Sequence, residues 1–188
     1  MRIYVLLMAA CLCACKPKPA APAGTVAESI AATAPLPPPP TRSIGPVDVA
    51  VTMGATNITA TSYAIPDGRY VMPTLGWIER EFSHGLFGFQ HALGIATWTA
   101  EAWDCDKFAI GASFYGKFLN SVSPNRNVAA ALAIGELYYV KDVGGGHAIN
   151  FFIVQAGQNL QIIFYEPQTR AVVSLSPTER ERVMFWKL

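Results

Sequence analysis

Beyond residue 46 the apolar positions fall into several distinct rhythms. "VDVAVTMGATNITATSYAI", residues 47–65, alternates β-branched and small residues and predicts short strand-forming pieces. "TLGWIEREFSHGLFGFQHALGI", residues 74–95, interleaves apolar positions with glycine and permits one or two short helices. In "DCDKFAIGASFYGKFLNS", residues 104–121, Phe108, Ala112, Tyr115 and Leu119 recur at spacings of four, three and four. That period lays one apolar stripe along a helix, with Asp104 placed to cap its first turn. "VAAALAIGELYYVKD" is rich in strand formers, and "GGGHAINFFIVQAGQNLQIIFYEPQT" reads as two strands joined near Ala156-Gly157. Ser176-Pro177-Thr178-Glu179 is a capping box with proline at the first helical position, so a helix starts there and the charges of "ERER" form its solvated face. Helices and antiparallel strands in this order predict an α+β domain over residues 47–188.

The first 46 residues follow neither rhythm. "MRIYVLLMAACLCAC" has one basic residue, a short apolar run and small residues before a cysteine, the layout of a secretory leader at 1–15. The run is too short for a membrane span, which takes about 20 apolar residues. Leu12-Cys13-Ala14-Cys15 resembles the lipobox of bacterial lipoproteins, which implies acylation of Cys15 and an exported chain held to a membrane by a lipid anchor; Cys11 ends a weaker match. Residues 16–46 carry nine prolines and no aromatic residue, so they predict a disordered Pro/Ala-rich tether. Extended polyproline geometry gives it a reach of up to ~100 Å.

Charge narrows the function classes. Fourteen basic and thirteen acidic residues leave a net charge of +1, so no global field marks a nucleic-acid partner.

Cys105 is the one cysteine beyond residue 15, and it falls in the first turn of the expected helix. Converging N–H groups and the positive end of the helix dipole favour a thiolate there, while Asp104 and Asp106 oppose it unless they point away. A base must therefore come from elsewhere. His147 follows three glycines at the start of a strand, and a hairpin centred between Ala156 and Gly157 sets Glu166 directly across from it. A turn centred one residue later sets Gln168 there instead, on the same face. A cysteine at a helix start, a strand histidine and an orienting carboxylate are the groups a thiol hydrolase needs.

The strings "WDCDKFA", "GGHAIN" and "YEPQT", in the order Cys105, His147, Glu166, resemble the papain-like cysteine-protease domain at the C-terminus of certain mushroom agglutinins. That resemblance implies a papain-like fold, with the cysteine helix packed on an antiparallel sheet that bears the histidine and the carboxylate. It also implies a Cys-His-Glu peptidase or amidase acting on a peptide, and calcium dependence, which makes Asp104 and Asp106 candidate ligands; no other cofactor is implied. The NlpC-type cell-wall endopeptidases are a more distant resemblance and imply a peptidoglycan-peptide substrate. They usually continue Ser-Gly after the cysteine, whereas this chain has Asp106-Lys107. Papain-like proteases place a glutamine a few residues before the cysteine as an oxyanion donor, whereas here the nearest is Gln90. Gln90 and Gln168 are the oxyanion or orienting candidates.

Two other readings stand beside the hydrolase. Cys105, His147 and nearby carboxylates could hold a metal, although the paired spacings of structural zinc are missing. A non-catalytic papain-like surface module could bind carbohydrate or a partner protein through the aromatic segment from Trp77 to Trp103, in which Trp77, Phe82, Phe87, Phe89 and Trp98 are groove candidates or, as aromatics more often are, core. His84 and His91 read as structural or surface histidines.

Overall fold

The structure, a computed structural model, describes residues 43–95, 104–123 and 130–188. The expected leader with Cys11 and Cys15, the tether through residue 42, and Trp98 and Trp103 lie outside the described residues. None of the described helices is long and apolar enough to cross a membrane.

Strand β1 (Ser43–Ile44) pairs antiparallel with β3 (Tyr70–Val71), which pairs in parallel with β4 (Ala131–Leu132). The segment expected to make strands from residue 47 instead forms helix α1 (Pro46–Gly54), followed by the short strand β2 (Ser62–Ala64). Pro46 opens α1 with a preset φ, and Asp48 Oδ2 accepts the Gly45 N–H at 3.0 Å. Val49, Thr52 and Met53 supply the i, i+3, i+4 buried face that the β-branched composition had masked.

Residues 75–92 form one continuous helical run: α2 (Leu75–Trp77), a π-helical turn (Ile78–Phe82) and α3 (Ser83–Ala92). Ser83 Oγ donates to the Ile78 carbonyl at 2.8 Å, beside the Ser83 backbone N–H that the wider turn brings to the same oxygen. Helix α4 (Cys105–Val122) matches the spacing read from the sequence, since Phe108, Ala112, Tyr115 and Leu119 are all buried.

The main sheet runs β2-β9-β5-β6-β7-β8 and includes β5 (Ile134–Val140), β6 (Gly146–Ala156), β7 (Asn159–Glu166), β8 (Ala171–Val173) and β9 (Val183–Lys187). Both its faces are covered. Ile149, Phe151, Ile153, Ile162 and Phe164 pack on the side of Val49 and Met53, while Phe152, Val154, Ile163 and Tyr165 meet Phe82, Leu86, Ala112 and Tyr115. Two-sided burial explains why β6 reads as an almost unbroken apolar run.

One polar residue interrupts that run. Asn150 is fully buried, and its Nδ2 lies 2.8 Å from the Ala109 carbonyl, 3.0 Å from the Gly135 carbonyl and 3.1 Å from Ser113 Oγ. It fastens α4 to β5 and β6 at one point. Beside it α4 passes close to the sheet at Gly116, where an added Cβ would lie 3.2 Å from Leu132 and Ile134. Across the same core, burial pushes the Tyr115 phenol up to about 12.

The capping box closes as expected: Ser176 Oγ accepts the Glu179 N–H, and Glu179 accepts the Ser176 N–H. Helix α5 (Pro177–Glu181) is only one turn long, because the chain after it enters the slot between β2 and β5 as strand β9, burying Val183 and Trp186 on either side of a bulge. Nor are its basic residues simply a solvated face. Arg180 donates to the Leu175 and Thr56 carbonyls, and Arg182 to the Lys141 carbonyl and Asp142.

Gly135 is where this sheet tolerates least. A Cβ there would lie 2.3 Å from the Lys187 carbonyl oxygen and 2.4 Å from the Phe151 ring. Gly135→Ala should lower the unfolding free energy by about 2 kcal/mol or more, since backbone and a buried ring must both yield. Denaturant unfolding measures this, and an unchanged midpoint would refute so close a crossing of β5 and β9.

Candidate functional site

The β6–β7 hairpin turns through Gly157, whose φ of +64° suits a tight two-residue turn between Ala156 and Asn159. Asn150 pairs with Tyr165, so the turn is centred one residue later than the first register assumed. Continued to the strand ends, this register sets Gln168, not Glu166, opposite His147. Glu166 nevertheless reaches back along the diagonal, and its Oε2 lies 2.6 Å from His147 Nε2. Both side chains are nearly buried, at 13% and 14% exposure, which shields the pair from competing water. The edge of the imidazole also meets the Tyr139 ring, 5.7 Å away at 70°.

The other oxygen of Glu166 has a separate task. Oε1 accepts the Gln168 N–H at 3.1 Å, so one carboxylate grips both His147 and the turn that follows β7. Gln90, buried on α3, holds the same turn from outside through its amide, which donates to the Pro167 carbonyl at 3.2 Å. The two glutamines expected near an oxyanion therefore both contribute to holding the Pro167–Arg170 turn: Gln90 through its side chain, Gln168 through its backbone N–H.

Cys105 stands partly exposed at the first residue of α4. Among the described residues its sulfur forms no hydrogen bond; Glu166 holds His147 through Nε2, and Nδ1 is the ring's second nitrogen. The body of α4 covers the β6 face that carries Asn150 and Phe152, whereas His147 shares its side of the sheet with Tyr139 and Ile149.

Asp104 does occupy the N-cap position, but its carboxylate does not fold back onto the helix. It binds the Lys107 ammonium at 3.0 Å, while Asp106 accepts the Lys107 N–H at 2.8 Å. Hydrogen bonding to Asp106 and to Lys107 holds the Asp104 carboxyl below its usual range, and the same contact raises Lys107. A lysine thus sits where a cation between the two carboxylates would go. Among the described residues no group of three histidine, cysteine or acidic side chains gathers to hold a metal.

Of the aromatic candidates, Trp77, Phe82 and Phe89 are buried and form core, while Phe87 is 45% exposed. Its ring borders an open cavity of about 370 Å³. Glu79, Arg80, Ser83 and His84 line it from the helical run, and Thr169 and Arg170 from the β7–β8 turn. The Arg170 guanidinium lies 4.7 Å from the Phe87 ring centroid. Ser83 links the walls, since its Oγ lies 2.9 Å from the Tyr165 hydroxyl, and burial keeps that phenol well above its ordinary range. His84 and His91 are exposed on α3, as expected of surface histidines. Periodicity alone did not single out this pocket; the available signal was the turn string "EPQTR" following a strand.

No protein-family model matches the chain, and no curated protein is detectably similar in sequence. Solved structures are similar in fold. One is described as a PSL1a-E64 complex, with 24% identity and a TM-score of 0.61 over 78% of this chain and 50% of the other. Another is Polyporus squamosus lectin bound to the human-type influenza-binding epitope Neu5Aca2-6Galb1-4GlcNAc, with 24% identity and a TM-score of 0.56 over 78% of this chain and 49% of the other. The chain thus spans about half the length of each. These likenesses bear out an α+β fold like that of a mushroom lectin. They correct the expected Cys105-His147-Glu166 hydrolase acting on a peptide or peptidoglycan-peptide substrate: the neighbours in fold are lectins.

The pairing of His147 with Glu166 is open to direct measurement. A double-mutant cycle with His147→Ala and Glu166→Ala should give a coupling of about 1–3 kcal/mol in unfolding free energy, because the pair is nearly buried. Additive effects would mean that the contact does not hold in solution. By fold, this chain is an α+β protein similar to about half of a mushroom lectin's chain.

Proposed function

We propose that this chain is a non-catalytic surface module, papain-like in arrangement, that binds carbohydrate in the pocket between α3 and the β7–β8 turn. The observation that carries this reading is the exposed Phe87 ring at the wall of an open cavity whose other walls are hydroxyl, carboxylate, imidazole and guanidinium groups. Sugars present apolar C–H faces beside fixed hydroxyls, so they need an aromatic surface with a few placed polar groups around it. Glu79 accepts sugar hydroxyls, Thr169 both donates and accepts, Ser83 only accepts because its hydroxyl hydrogen goes to the Ile78 carbonyl, and Arg170 donates. A lectin of similar fold bound to a glycan lends support.

On this reading His147 and Glu166 are positioning residues. Glu166 fixes the Gln168 backbone, and Gln90 fixes Pro167, so Thr169 and Arg170 reach the cavity from a turn held on two sides. Export with a lipid anchor at Cys15 and a proline-rich tether would present this domain away from a membrane, which suits recognition of surface glycans.

A glycan array probed with the full chain tests the reading. The protein should retain a subset of glycans, and Phe87→Ala should weaken that binding at least tenfold, ~1.4 kcal/mol, with little change in unfolding midpoint. Binding that is indifferent to Phe87 would remove the site from this pocket. Failure on every glycan would overturn the carbohydrate reading.

A further inference from the structure

Of the pocket's two arginines, one has no acceptor among the described residues. Arg80 is engaged: its guanidinium lies against Gly76, where an added Cβ would come within 3.0 Å of Nη1, and Nη2 is 3.7 Å from Glu81. Arg170 is different. Among the described residues it enters no ion pair, and none of its N–H groups donates to a protein acceptor. Its contact is the face of Phe87.

Its backbone is unusual as well. Arg170 has φ +57°, in the left-handed region that glycine occupies readily and that a long side chain enters at a cost of about 1 kcal/mol. Glu166 and Ala171 pair across the turn, so the four residues Pro167 to Arg170 form its loop, and its last position demands this conformation. Glycine would serve the turn better, yet arginine stands there with its side chain laid over an aromatic ring at the cavity wall.

An arginine stacked on an aromatic face keeps its charge in partly desolvated surroundings and leaves its planar fork of donors to a ligand. Five N–H donors without a protein acceptor call for an oxyanion, and the fork matches a carboxylate with two parallel hydrogen bonds. Glu79, exposed on the opposite wall, repels a second negative group but accepts hydroxyls. The complementary ligand therefore has a single carboxylate beside several hydroxyl groups.

We propose that the pocket recognises acidic saccharides, with Arg170 reading the sugar carboxylate while the sugar ring lies against Phe87. This rests on the carbohydrate-binding reading and specifies its ligand class. Neutral saccharides that satisfy Glu79 and Thr169 alone bind more weakly, because the guanidinium then stays unpaired.

The test uses the full chain and calorimetric titration with three acidic probes: a sialylated N-acetyllactosamine, a hyaluronan tetrasaccharide and a tetragalacturonate. Each is paired with its carboxyl methyl ester, which keeps shape and hydroxyls but removes the charge. At least one acid should bind ten times more tightly than its ester or better. Arg170→Gly should abolish that difference while leaving the unfolding midpoint unchanged or raised, since glycine fits the turn. Arg170→Lys keeps the charge but loses the fork, and should retain only part of the preference. Equal binding of acid and ester by the parent chain, or a preference that survives in Arg170→Gly, would overturn the acidic-ligand proposal and leave the module a binder of neutral glycans. Absence of binding to every probe and to neutral glycans would overturn the carbohydrate reading itself.

Discussion

The double grip of Glu166 is the constraint on which the site depends. One carboxylate holds a strand histidine with Oε2 and a turn amide with Oε1, so the end of β6, the end of β7 and the loop into β8 become one unit. A carboxylate this nearly buried stays in place only if its oxygens are satisfied, and here both are. Gln90 completes the arrangement from α3, locking the helix that carries Phe87 to the turn that carries Arg170. Deeper in the sheet, Asn150 does the same for α4, with three protein acceptors in reach of its amide nitrogen. Both devices are polar groups in dry surroundings, which specify geometry as well as contribute stability.

The sequence made much of this framework readable, for physical reasons that differ by element. Helix α4 was legible because its stripe repeats at helical spacing from Phe108 to Leu119, and α5 because a capping box is a local chemical signal. Helix α1 was misread because valine and threonine at Val47, Val49, Val51 and Thr52 favour strands, while the signals that decided it, Pro46 and the Asp48 reach-back, are single residues. The hairpin was legible and its register was not: Gly157 can occupy either place in a two-residue turn, and one step moves every pairing. Trp77, Phe82 and Phe89 went to the core because a two-sided sheet needs large apolar groups on both faces.

The site shows the same division. His147 and Glu166 were found by asking which residues a hairpin brings to one face, and parity survived the register shift that changed their pairing from direct to diagonal. The chemistry assigned to them did not survive. The correction comes from the fold neighbours, which are lectins; a carboxylate held on one imidazole nitrogen is itself what a triad would contain. Arg170 could not be read from pattern at all, since its significance lies in a positive φ and in a guanidinium laid over Phe87, which exist only once the turn has closed.

The central claim is that ligand enters between α3 and the β7–β8 turn, and amide chemical-shift mapping of the full chain during titration with a bound glycan tests it most directly. The account predicts that shifts concentrate at residues 79–87 and 167–171, with a weaker response at His147 through Glu166. Shifts centred instead on Cys105, Lys107 and the α4 N-terminus, with 83–87 and 169–170 silent, would contradict it.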